Sequence, residues 1–197
     1  MYIHGRLFNT LSTIYESSTA RIRLNGLYTE SFGVSSGVKQ GDIISPTLFS
    51  IYLNDLATGI KDLDCGVEID EFKLAILLYA DDIVLIAPSE ESLQSMLTHV
   101  SDWCKKWRMA VNIDKTNVVH FRSKDSDKTL FDFSLGDDVV KIVSHYKYLG
   151  VIFDEFLLFD TCSSTLADSA VRALGSIRNK LNSLKAVSYT HLRAHET

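Results

Sequence analysis

The chain has 197 residues, 46% hydrophobic, 10% aromatic and 23% charged, which excludes a disordered or collagen-like chain and leaves room for one domain of ordinary size. Its net charge of −5 gives no overall basic surface, and its longest apolar run, 74–80, stops at Asp81-Asp82, far short of the roughly 20 apolar residues of a membrane span. No secretory signal opens the chain, and Cys65, Cys104 and Cys162 are too few and too scattered for a disulfide framework or a thiolate metal site, so an intracellular, reducing location is expected, nucleus or cytoplasm undecided and oligomeric state open.

Leu7, Leu11, Ile14 and Tyr15 recur at near-helical spacing, predicting an amphipathic helix over 3–17. The period then becomes two. Residues 21–24 and 28–32 alternate around Asn25-Gly26, a strong hairpin signal. A polar, glycine-bearing loop covers 33–42, after which Ser45 as N-cap and Pro46 at the first helical position predict a helix to about residue 58. The apolar stretches on either side of Asp81-Asp82 read as central strands, and Pro88 ends the second. Ser89 then caps a long helix with a core stripe at Leu93, Met96, Leu97, Val100, Trp103, Cys104 and Trp107.

Short strands are expected at 117–121, 130–135, 139–143 and 148–153, and a last helix carries Leu166, Ala170, Leu174, Ile177, Leu181 and Leu184. Residues 187–197 lose this periodicity and resemble a translated adapter, so they are expected to be non-native. Hairpins rather than regular βαβ alternation give an α+β class, an antiparallel sheet with helices on one face. Charge is uneven along the chain: net −7 over 61–100 and net +3 over 101–130. Such a division suits separate sites for cations and phosphates, and equally an ordinary solvated surface.

Two segments can carry chemistry. In Leu74-Ala-Ile-Leu-Leu-Tyr-Ala-Asp81-Asp82-Ile-Val-Leu-Ile-Ala87, adjacent carboxylates sit between apolar runs. One aspartate suits a turn, but two neighbouring negative charges repel unless a cation lies between them. A surface turn and a divalent-metal site both fit this pattern. The second segment, Ser36-Gly-Val-Lys-Gln40-Gly41-Asp-Ile-Ile-Ser45-Pro46, offers a flexible backbone before a helix start, able to approach a flat or anionic ligand. Two other patterns fail. Gly33-Val-Ser35-Ser-Gly37 lacks the helix that must start directly at a nucleophilic serine, and His191 with His195 and Glu196 falls in the suspect tail.

Taken together, the two segments resemble the reverse transcriptase family, in the form found in non-LTR retrotransposons. The resemblance rests on Gly37-Val-Lys-Gln40-Gly41-Asp-Ile-Ile-Ser45-Pro46-Thr-Leu-Phe with Asn54-Asp55-Leu, then Tyr79-Ala80-Asp81-Asp82. It extends to Trp103-Cys-Lys-Lys-Trp107 with Asn112-Ile-Asp-Lys115-Thr116, and to Tyr146-Lys-Tyr148-Leu149-Gly150-Val-Ile-Phe. It covers about residues 7–154, in order.

The resemblance implies an RNA-directed DNA polymerase using RNA template, DNA primer and deoxynucleoside triphosphate, with two Mg²⁺ ions. It divides the chain into a partial palm over 1–158, a helix toward the thumb over 159–186 and the tail 187–197. Asp81 would ligate the catalytic metals directly, with Asp82 a supporting ligand or electrostatic partner. Gln40 and Gly41, backed by Ser45 and Pro46, would shape the pocket for templating base and nucleotide. Lys115 would face the triphosphate, or be a solvated turn lysine; Tyr148, Leu149 and Gly150 would hold the primer terminus. Lys105, Lys106 and Arg108 would touch phosphates or form a solvated helix face. The family places a third catalytic aspartate upstream of the first helix, before this chain starts, with the fingers and most of the thumb also outside it. The chain alone is therefore expected to be inactive. The alternative is a non-catalytic palm-like module that binds nucleic acid or protein.

Overall fold

In the computed structural model, which describes residues 4–34 and 37–193, the chain divides between Met109 and Ala110 into two units. Ser35, His195 and Glu196 lie outside the described residues.

In the first unit, α1 (Gly5–Glu16) forms where the apolar spacing predicted it, but none of its residues is buried. The alternation that follows makes two nested hairpin ladders. β1 (Thr19–Ala20) pairs with β4 (Phe32–Gly33) outside β2 (Arg23–Leu24) and β3 (Leu27–Tyr28). Asn25 and Gly26 turn between the inner strands at φ +50° and +85°, the left-handed pair that a tight hairpin requires. Helix α2 (Ser45–Asp62) runs past the expected end near 58. Next come β5 (Val67–Ile69) with β6 (Phe72–Leu74), a hairpin the sequence reading missed, and then β7 (Ile76–Tyr79) with β8 (Asp82–Leu85). Helix α3 (Glu90–Trp107) starts as expected: the Ser89 hydroxyl accepts from the Ser92 N–H at 3.2 Å, with Glu90 and Glu91 in the first turn.

α2 packs on α3 and on β7. The core joins Leu53, Leu56 and Ile60 to Met96, Leu97, Val100 and Trp103, with Ala75 and Ile76 beneath. Gly59 permits the close approach of the helices, since a Cβ there would collide with the His99 ring. Trp103 is 6% exposed and its Nε1–H donates to Asp55 Oδ1 at 3.0 Å. Trp107, expected to be buried with it, is 40% exposed, because it occupies the last turn of α3 and meets Tyr52 only along one edge. That ring lies 5.4 Å from both tryptophans, and its hydroxyl donates to the Trp107 carbonyl at 3.0 Å. Desolvation, then Asp55 and Cys104, hold the Tyr52 hydroxyl above its ordinary pKa, so it remains a donor.

Trp103→Ala should cost about 3–5 kcal/mol. Trp107→Ala should cost about 1–2 kcal/mol, since much of that ring is already in water. Denaturant titration of both variants measures the difference, and a reversed order would contradict this core.

In the second unit a single 3-10 turn (Ile113–Lys115) leads into β9 (Asn117–Val119), β10 (Ser134–Leu135), β11 (Asp138–Val139), β12 (Lys141–Val143), β13 (His145–Tyr148), β14 (Val151–Asp154) and α4 (Asp160–Arg193). The expected strand 139–143 is broken at Val140, whose buried side chain and N–H, donated to the Phe133 carbonyl at 2.8 Å, belong to the β10–β11 hairpin. The expected strand 148–153 is crossed by a turn, with Leu149 and Gly150 at φ +47° and +89°. α4 packs against β14 through its first turn, where Cys162 is buried. It continues to Arg193, beyond the expected end at 186, with Leu166, Leu174, Ile177 and Leu181 more than half exposed.

The class is mixed helix and strand, but the single antiparallel sheet expected from the sequence does not form. Among the described residues every sheet has two strands, six pairs antiparallel and β9–β12 parallel. Most strands turn back within two residues onto their own neighbour and run only two to four residues. They offer little length for a third partner.

Candidate functional site

β7 and β8 present Asp81 and Asp82 at one tip. Tyr79 pairs with Asp82, so Ala80 and Asp81 make the two-residue turn and Asp82 is the first residue of β8. Ala80 holds φ +51°, a left-handed conformation that costs a non-glycine residue about 1 kcal/mol. The hairpin is not the central pair its apolar sequence suggested. Asp81 and Asp82 are exposed, and so are Leu77, Leu78 and Tyr79. Neither aspartate side chain makes a hydrogen bond or ion pair with the described residues. Their four free carboxylate oxygens are the hard donors that Mg²⁺ prefers. In number the set is short: no cluster of three or more metal-binding side chains occurs among the described residues.

The loop before α2 holds Gln40 and Gly41 in a turn, Gly41 at φ +83° with open space where a Cβ would stand. Gln40 is exposed. Ser45 does not cap the helix as expected. Ile44 flanks the first turn, Ser45 is already helical and Pro46 sits in the second helical position. The reason is local: Asp42 Oδ1 accepts from the Ile44 N–H at 3.1 Å, closing a turn that starts the helix one residue early. This frees the buried Ser45 hydroxyl to donate to the Lys39 carbonyl at 2.6 Å. Pro46 is exposed beside it.

In the second unit Lys115 ends the 3-10 turn, exposed, and its carbonyl accepts from the Tyr146 hydroxyl at 2.9 Å. Tyr146 lies on β13, two residues before Tyr148, so the Lys115 turn is tied to the hairpin whose tip is Leu149-Gly150. Leu149 is 51% exposed and Tyr148 half-buried. Sequence reading found Lys115 and the hairpin separately and missed the tyrosine that joins them. It gave Asp55 no role, yet this carboxylate fixes Trp103 at the junction of α2 and α3. No spacing rule signals either bond, because each spans more than 30 residues.

A family model described as Reverse transcriptase (RNA-dependent DNA polymerase) matches residues 4–153. The chain is 26% identical over 160 residues to the RNA-directed DNA polymerase from mobile element jockey of Drosophila melanogaster, covering 78% of this chain and 17% of that protein. It is 30% identical over 152 residues to a Retrovirus-related Pol polyprotein from type-1 retrotransposable element R2 of Popillia japonica, covering 73% and 25%. A third relative, the Probable RNA-directed DNA polymerase from transposon X-element of Drosophila melanogaster, is 25% identical over 158 residues. The chain thus spans between 17% and 25% of the length of the first two.

Proposed function

We propose, because this chain belongs to the reverse transcriptase (RNA-dependent DNA polymerase) family, that it is the palm portion of an RNA-directed DNA polymerase of a non-LTR retrotransposon. The observation that carries this reading is the tip of β7–β8, where two adjacent carboxylates stand exposed with no side-chain bond to the described residues.

Asp81 and Asp82 would hold two Mg²⁺ ions, with a third carboxylate supplied from upstream. Bound there, the metals supply charge neutralisation on the transferring phosphoryl group and lower the pKa of the attacking hydroxyl. Gln40 and Gly41 bound the pocket for the templating base and the deoxynucleotide, the bare Cα of Gly41 allowing the nucleotide to lie against the backbone. Lys115 offers a cation to the triphosphate. Leu149 and Gly150, with Tyr148 behind them, support the primer end by backbone contact. RNA template, DNA primer and deoxynucleotide are the partners. No described helix is long and apolar enough to cross a membrane.

Two carboxylates bind the metals too weakly for turnover, so the chain alone should extend no primer on an RNA template, even with Mg²⁺ and all four deoxynucleotides. Fused to the upstream segment of a related element, it should gain extension. Within that fusion Gln40→Ala should raise KM for the nucleotide by about tenfold with little change in kcat, the mark of lost ground-state positioning. Extension by the unfused chain would remove the need for a third carboxylate. An unchanged KM would take Gln40 out of the pocket.

A further inference from the structure

Lys39 precedes Gln40 and is held at two places. Its carbonyl accepts from the Ser45 hydroxyl, a buried donor on the first turn of α2. Its ammonium lies 5.7 Å from the centroid of the Tyr15 ring, near the end of α1. The Tyr15 hydroxyl is itself buried and has no hydrogen-bond partner among the described residues. The ring's negative face attracts the lysine cation. The next residues, Gln40 and Gly41, form the centre of a turn that the Asp42 N–H closes on the same Lys39 carbonyl at 3.3 Å, with Gln40 exposed and Gly41 at positive φ.

We propose that Tyr15 and Ser45 are positioning residues, a two-point clasp on Lys39 that sets the direction in which the chain enters Gln40-Gly41. The clasp also engages the Lys39 ammonium in its own loop, which leaves recognition at this point to Gln40 and to the glycine backbone. It rests on the reading of Gln40-Gly41 as the template and nucleotide loop. The clasp itself is tested without nucleotide or nucleic acid. Its failure and the failure of that reading are therefore separate results.

Trypsin cleaves after lysine, so cleavage of the Lys39-Gln40 bond in the 197-residue chain measures opening of the clasp. Ser45→Ala removes a hydrogen bond and should speed that cleavage by about fivefold, the factor that corresponds to about 1 kcal/mol. Tyr15→Leu removes the ring and should speed it about two- to fivefold. Tyr15→Phe keeps the ring and should stay within about twofold of the parent. Unchanged emission from buried Trp103 shows that the first unit remains folded in each variant. A packing role alone would leave the Lys39 side chain indifferent, so its nuclear magnetic resonance signal decides the point. The Lys39 ε-methylene protons, identified by their loss in Lys39→Arg, should be shifted upfield by the ring in the parent and in Tyr15→Phe. In Tyr15→Leu they should revert to the position of the other lysines, and the Gln40 and Gly41 amides should gain fast motion. Unaltered cleavage in both Ser45→Ala and Tyr15→Leu would overturn the proposal. So would a Lys39 signal already at the ordinary lysine position in the parent.

Discussion

Asp81→Ala in the fusion described above should lower kcat for primer extension by at least about a thousandfold, a loss of roughly 4 kcal/mol of transition-state stabilisation. A carboxylate that ligates the metals directly controls most of the charge neutralisation available to the reaction, which explains the size of the expected loss. The same substitution should leave folding almost untouched. Asp81 is exposed, sits in a turn and makes no side-chain bond within the described residues, so the change in unfolding free energy should stay within about 0.5 kcal/mol. That combination separates a functional carboxylate from a structural one. Single-turnover extension and denaturant titration on the same preparation read both quantities. Extension that survives the substitution would refute this hairpin as the catalytic site.

The second large effect concerns stability in the other unit. Arg122 directs Nε and one terminal nitrogen to Glu155 Oε2 at 3.2 and 3.1 Å, with side chains only 15% and 12% exposed. The same guanidinium donates to the Ser126 carbonyl and lies 4.7 Å from the Phe156 centroid, while the Arg122 N–H donates to the Glu155 carbonyl at 2.9 Å. Arg122→Met would leave a desolvated carboxylate without its counter-charge. It should cost about 3–5 kcal/mol, enough to unfold the second unit if the chain has the marginal stability usual of proteins. Adding Glu155→Leu removes the orphaned charge, and the double variant should recover most of that loss. Three denaturation curves decide the matter. A double variant no more stable than Arg122→Met would show that packing on Phe156, rather than the ion pair, carries the energy.

Local signals in the sequence were translated faithfully. The Asn25-Gly26 turn, the Ser89 cap and the hydrophobic period of α3 each depend on residues within one or two turns of one another, and each appears where expected. Errors arise where a conformation contradicts a side chain's usual preference. Leu149 at φ +47° looks like a strand residue, so the turn of the β13–β14 hairpin was absorbed into a strand. Asp70 at φ +51° makes the β5–β6 turn without glycine, and that hairpin passed unseen. Trp107 fits the helical stripe by number, but in the last turn of α3 it meets Tyr52 of α2 along one edge and stays 40% exposed. For the candidate site, residue types alone singled out the two aspartates and the Gln40-Gly41 loop. The bonds from Tyr146 to Lys115 and from Trp103 to Asp55 were invisible because they link distant parts of the chain.

The parallel pairing of β9 with β12 sets an order of events for the second unit. The β10–β11 and β13–β14 hairpins close through two-residue turns and can form on the microsecond scale. Asn117 can meet Lys141 only after the whole intervening segment has been drawn into a loop, and that closure costs entropy before any contact rewards it. The buried Val118 gains its strand partner at this late step. On a ribosome β9 would emerge well before its partner strand. Until β12 follows, this unit exists as a hairpin and an unpaired strand, and long-range encounters of this kind slow folding.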